Sequence, residues 1–187
     1  MRGLEAEHPL HHPYFFSLYD EASRLDMAIG IHSGIGNATV SDAFGTDPFR
    51  TAKLTVVGAI HALLMRGISQ RFPGLRIGAI EVSAQWIPYV VNDIVIRNKK
   101  RGVETPCDVL AANRIYVACQ TDDDLPYVLK YAGENTIMIG SDYGHADNAS
   151  ELLALRRLRE QGEVPASIID KILYENAASF YGLSADA

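Results

Sequence analysis

Apolar positions along this chain fall into two alternating periods. Phe15, Phe16, Leu18, Tyr19, Ala22 and Leu25 recur at helical spacing and predict a helix over Pro13–Asp26. Met27–His32 is a short apolar run of strand type, and Ser33-Gly34-Ile35-Gly36-Asn37 breaks it. Asp47 is a plausible N-cap and Pro48 suits a first helical position, so a long helix is expected from there to about Gln70, stopped by Phe72-Pro73-Gly74. A strand over Leu75–Val82 and a helix from Gln85 to about Ile96 follow. The pattern weakens from Arg97 to Ala112. Within it, Asn98-Lys99-Lys100-Arg101-Gly102 reads as a solvated loop, with an anion contact as the alternative. Ile115–Cys119 is a third strand. Thr121–Asp124 caps a helix reaching Tyr131, and Thr136–Gly140 is a fourth strand ending in Ser141-Asp142. Two helices close the chain, over Ala149–Gln161 and Pro165–Tyr181.

Strand and helix therefore alternate four times. That order implies parallel strands joined by right-handed crossovers. The strands are almost unbroken apolar runs, as expected where helices cover a sheet. An open α/β sheet and part of a (β/α)8 barrel both fit. A complete barrel needs about 250 residues, and this chain has 187.

Composition narrows the function classes. The chain is 48% hydrophobic and 21% charged, with 17 Lys+Arg against 23 Asp+Glu and a net charge of −6. This is a globular composition. The acidic balance argues against nucleic acid or an anionic membrane as partner. No apolar run approaches the roughly 20 residues of a bilayer span, and no apolar stretch of signal-peptide type follows Met1. Cys107 and Cys119 lack a CxxC spacing. They read as two buried or half-buried thiols of a reducing, cytoplasmic setting.

The polar residues at strand ends carry the chemistry. His32 ends the first strand, Glu81 the second and Asp142 the fourth. The carboxyl ends of parallel strands face the ligand site in both candidate architectures. Histidine with carboxylates suits Zn²⁺, Mn²⁺ or Fe²⁺. Blander readings compete: His32 as a structural histidine, Asp142 as a turn former, Glu81 as the partner of an arginine. His145 follows Asp142 on the same loop, within reach of a substrate or of Asp142 itself. His8, His11 and His12 lie in a proline-bracketed segment that reads as a surface loop, with loose metal binding as the alternative. His61 falls inside a helix and is expected to be packed or solvated. There is no GxGxxG after a strand, no GxxxxGK[ST] and no GxSxG.

Several phrases resemble one family. Ile31-His32-Ser33-Gly34 resembles the fifth-strand motif of the amidohydrolase-related metal-dependent hydrolases, in the subgroup that contains aminocarboxymuconate-semialdehyde decarboxylase-like enzymes. Phe72-Pro73-Gly74-Leu75-Arg76 resembles the entry to strand six, and Glu81–Pro88 a variant of the strand-six signature. Ile139–His145 resembles the strand-eight motif, and Lys171–Leu183 the terminal helix. The matches keep the family's order over about residues 10–183. The resemblance implies the C-terminal half, about strands 5–8, of a TIM barrel with a divalent metal at its mouth, most naturally zinc, with manganese or iron as alternatives. His32 and Asp142 would bind the metal. Asp142, Glu81 and His145 would do the acid–base work, and Trp86 and His145 would contact the substrate. Asn176 would fix backbone in the terminal helix.

Two departures from the family's pattern matter. No His-x-His or Glu-x-His pair of the family's first strand stands on a strand here. Glu81 occupies a place where many of the decarboxylases carry histidine. The expected function is hydrolysis of a small carboxylated or cyclic substrate by metal-activated water, with non-oxidative decarboxylation as the alternative. A reading from a different class is a catalytically silent fragment, or an assembly partner that completes a barrel in trans. One partial domain over 1–187, a truncated reading frame, a homo-oligomer and a separate N-terminal half-barrel are the accompanying expectations. Open sheet edges and apolar faces would favour such association.

Overall fold

A computed structural model describes residues 1–34, 37–140 and 154–183. Four strands form one parallel sheet in chain order: β3 (Ile29–His32), β4 (Ile77–Ile80), β5 (Ile115–Cys119) and β6 (Ile137–Ile139). They are preceded by a minimal antiparallel pair, β1 (Leu4–Glu5) and β2 (His8–Pro9). Register runs Ile31↔Ala79 from β3 to β4, Ala79↔Val117 from β4 to β5 and Val117↔Ile137 from β5 to β6. The backbone of Met1 lies along the outer edge of β3: its nitrogen donates to the Gly30 carbonyl at 2.7 Å, and the Met1 carbonyl accepts from the His32 N–H at 2.8 Å.

The helices fill the gaps between strands. After α1 (Phe16–Arg24) and β3 come α2 (Ala38–Phe44), a π-turn over Phe49–Lys53, α3 (Leu54–Met65) and α4 (Ile68–Arg71). β4 is followed by α5 (Ile87–Arg101) and α6 (Val109–Ala112), and β5 by α7 (Leu125–Ala132). After β6 come α8 (Ala154–Gln161), α9 (Ala166–Asp170), a π-turn over Lys171–Glu175 and α10 (Asn176–Tyr181). Side chains alternate across each strand. One face, with Ile31, Ile77, Ala79, Ile115, Val117, Cys119 and Ile137, packs under the helices against Val56, Ile60, Ile87, Val90 and Val128. On the other face Tyr116, Ala118 and Met138 meet Phe180 of α10. A Cβ on Gly78 would stand 2.7 Å from the Phe180 ring, so only glycine lets that ring lie on the sheet. Asn176, buried, donates its side-chain amide to the carbonyls of Glu134 (2.9 Å) and Ile137 (2.6 Å), which ties α10 to β6. That is the backbone-fixing role expected of it.

The structure corrects the sequence reading in places. The helix expected from Asp47 to Gln70 is broken at Gly67, whose φ of +67° is left-handed. Asn98–Arg101 is the last turn of α5, not a loop, and Gly102 (φ +66°) ends that helix. Position-specific caps explain α2 and α6, which periodicity did not reveal: the Asn37 side chain accepts from Thr39 N–H and the Asp108 side chain from Ala111 N–H. Cys107 is exposed, contrary to expectation. Cys119 is buried, and neither cysteine is in a disulfide. No described helix is long and apolar enough to cross a membrane.

Candidate functional site

Parallel pairing places His32 and Glu81 side by side. His32 is the last residue of β3, paired with Ile80 of β4, and Glu81 is the next residue along. The His32 Nε2–Glu81 Oε2 separation is 3.3 Å. Ser33 bridges the same two strand ends: its Oγ donates to the Glu81 carbonyl at 2.8 Å and stands 3.2 Å from Glu81 Oε2. Glu81 therefore meets a histidine and a serine at the strand-end rim. His32 remains about half exposed, with a side chain 49% accessible, so the pair opens outward.

The backbone that presents Glu81 is unusual. Glu81 and Ser83 both have φ near +60°. Non-glycine residues rarely adopt this region, and they hold it only where surrounding contacts fix them. Asp123, from the turn after β5, supplies those contacts. Its carboxylate is buried and accepts from the Ala84 N–H (2.8 Å), the Gln120 N–H (2.8 Å) and the Ser83 hydroxyl. Trp86 closes the same turn by donating its indole N–H to the Ser83 carbonyl at 2.8 Å, with its ring half-buried against the core. Sequence reasoning placed Asp123 only in a helix-capping run, whereas Asp124 is the cap of α7, accepting from the Tyr127 N–H. The only available signal was the triplet Asp122-Asp123-Asp124, of which helix capping needs one member. Burial, reinforced by the Asp123 charge, raises the Cys119 thiol well above the usual range, so it is an inert core thiol.

Asp142 and His145, the other expected site residues, lie outside the described residues. Among the described residues no group of three His, Cys, Asp or Glu side chains could hold a metal ion. His32 and Glu81 are two donors of a suitable kind on neighbouring strand ends, but a catalytic zinc site ordinarily takes three protein ligands. The described residues by themselves therefore do not make a metal centre. They do bring a histidine and a carboxylate within ion-pair distance at an open strand-end rim, the residue types that general acid–base chemistry uses.

No family model matches the chain, and no curated protein matches it by sequence. Its structural neighbours are amidohydrolases and decarboxylases. An amidohydrolase from Mycobacterium avium subsp. paratuberculosis K-10 superposes with a TM-score of 0.76 at 19% identity, over 100% of this chain and 51% of that one. The 5-carboxyvanillate decarboxylase of Sphingomonas paucimobilis gives 0.69 at 16%, over 93% and 55%. A dihydroxybenzoic acid decarboxylase from Polaromonas sp. JS666, solved with manganese and the inhibitor 2-nitroresorcinol, gives 0.66 at 13%, over 92% and 55%. The chain thus spans about half the length of these proteins. At these identities the likeness is one of fold: a mixed α/β chain with a four-stranded parallel sheet, shared with amidohydrolases and decarboxylases.

Proposed function

We propose that this chain is the C-terminal half of a (β/α)8 enzyme of the amidohydrolase-related family, one partial domain over 1–187, and that the assembled enzyme releases CO2 from a small carboxylated ring. The observation that carries this reading is the His32–Glu81 pair, on adjacent carboxyl ends of parallel strands, in a fold shared with several ring decarboxylases. In this scheme the C–C bond to the carboxylate breaks, its electron pair stays on the ring carbon, and that carbon takes a proton. The pair, with Ser33 holding the Glu81 carboxylate, is suited to supply the proton. Asp142 and His145 are assigned metal-binding or acid–base and substrate-contacting roles by the motif that contains them. Trp86, braced on Ser83, is assigned an aromatic wall of the pocket. A bound divalent ion would orient and polarise the substrate oxygens. Its ligand set would draw on His32, on Asp142 and on further donors.

Hydrolysis is the second reading. Glu81 favours it, standing where many decarboxylases of the resembled family carry histidine. The two readings part on product. The purified chain, alone and mixed with an N-terminal half-barrel, would be given Mn²⁺ or Zn²⁺ and a panel of hydroxybenzoates and cyclic amides. Metal content per chain is measured in parallel, beside a His32→Ala/Asp142→Ala double variant. CO2 and a decarboxylated ring, lost in Glu81→Gln, support the first reading. Amide cleavage without CO2 supports the second. Turnover by neither preparation would overturn both and leave a silent fragment.

A further inference from the structure

A second cluster of basic side chains lies away from the strand-end rim. His61 and Met65 of α3, Arg66 just after it, Arg97 and Arg101 of α5, and His11 from the N-terminal segment line one open cleft of about 350 Å³. In a β-α-β crossover the helix runs antiparallel to the strands. The last turns of α3 and α5 therefore lie toward the amino ends of the strands, opposite His32 and Glu81.

The charge balance of this cleft is lopsided. Asp93 is the acid at its edge, and it is already engaged: its Oδ2 accepts from Arg97 Nε at 2.5 Å and lies 2.8 Å from His61 Nε2. Among the described residues neither Arg66 nor Arg101 has a carboxylate partner. The positive charge of Arg66 is felt at His11, whose pKa is lowered first by burial and then by Arg66 and His12. His11 Nδ1 is buried and without a hydrogen-bond partner among the described residues. A helix dipole accounts for a cation at each helix end. It does not account for three guanidiniums and two imidazoles converging on one cleft in a chain of net charge −6.

We infer that this cleft binds a small multivalent oxyanion of the phosphate class. Arg66 and Arg101 are its principal anchors, because their charge is not compensated and the planar guanidinium fork matches phosphate oxygens. Arg97, held by Asp93, contributes field more than contacts. His11 and His61 border the anion and respond to its charge. Such an anion would join the N-terminal segment to α3 and α5. It would stabilise the chain by mass action without touching the strand-end rim.

The probe is inorganic phosphate, titrated at constant ionic strength with chloride as balance, and followed through the imidazole resonances of the full chain. Saturable shifts confined to His11 and His61, a rise in the His11 pKa as the anion offsets Arg66, and a raised melting temperature are expected. The Arg66→Gln/Arg101→Gln variant should fold, as both side chains are exposed, and should lose all three responses. Shifts that follow chloride as well as phosphate, spread over all six histidines, or persist in the double variant would overturn the site. None of these readouts depends on turnover, so the outcome is separate from that of the proposed reaction.

Discussion

Two histidine–carboxylate pairs occur among the described residues, and they differ in setting and geometry. His61 and Asp93 join α3 to α5 at 2.8 Å, both side chains close to 30% accessible, with Arg97 on the same oxygen. His32 and Glu81 stand further apart, at 3.3 Å, at the strand-end rim. The carboxylate of the closer pair, Asp93, has its pKa lowered from the ordinary value, first by the hydrogen bond from Arg97. Its residues sit on ordinary helical backbone. In the looser pair Glu81 sits on left-handed backbone, in a turn fixed by a buried aspartate from the turn after β5. Short distance reports a satisfied ion pair. Constrained presentation at an open rim is what a working pair needs.

The largest effect that would test this contrast is on turnover. In whatever assembly proves active, His32→Ala and Glu81→Gln should each lower kcat by roughly 10²–10⁴-fold, the range of a lost proton-transfer group. Asp93→Asn should change it by no more than about twofold. Equal losses in all three would erase the distinction.

Next in size is the support beneath Glu81. Asp123→Ala leaves the Ala84 and Gln120 N–H groups and the Ser83 hydroxyl without their acceptor. It should cost about 2–3 kcal/mol in denaturant unfolding, as expected for hydrogen bonds to a buried charged group. Asp123→Asn, which keeps one acceptor oxygen, should recover part of this. A Tm unchanged by Asp123→Ala would mean that the left-handed turn holds itself.

Smaller still is the helix-side pair. Asp93→Asn should destabilise by less than about 1 kcal/mol, since the ion pair is solvent-screened and one partner is largely exposed. A loss as large as that of Asp123→Ala would show α3–α5 packing to depend on it.

The smallest effect is on pH dependence. His11 has a folded-state pKa below its ordinary value of 6.5, chiefly through burial. The unfolded chain thus binds the proton more readily, and the associated stability is full above pH 6.5 and lost as pH falls through the lowered native value. Glu5, lowered first by its hydrogen bond with Arg2, acts in the same direction further into the acid range. Urea midpoints measured from pH 7.5 to 5 should decline, and His11→Gln should flatten the upper part of that decline. A midpoint that rises on acidification would contradict both assignments.

Much of the architecture was legible because it rests on local signals. The four strands are β-branched apolar runs flanked by turn formers, and Ile115–Cys119 was located to the residue. Element ends were harder. Asn98–Arg101 looks like a polar loop by composition, yet three basic residues in a last turn satisfy a helix C-terminus and extend α5. Met1 on the β3 edge and Phe180 on the opposite face depend on contacts across long stretches of chain, which no local window records.

The candidate site divides the same way. His32 and Glu81 were found separately, each as a polar residue closing an apolar strand, and that position is written in the sequence. Their meeting was not. It depends on β3 and β4 pairing in parallel with His32 opposite Ile80, and a slip of one residue would turn one side chain to the other face. Asp123 is the clearest case of what only the tertiary structure decided. In the sequence it is one of three adjacent aspartates, but the β4–β5 pairing brings its carboxylate beneath the turn that carries Glu81. Local periodicity fixes which residues end strands, whereas register and long-range hydrogen bonds choose which of them face one another.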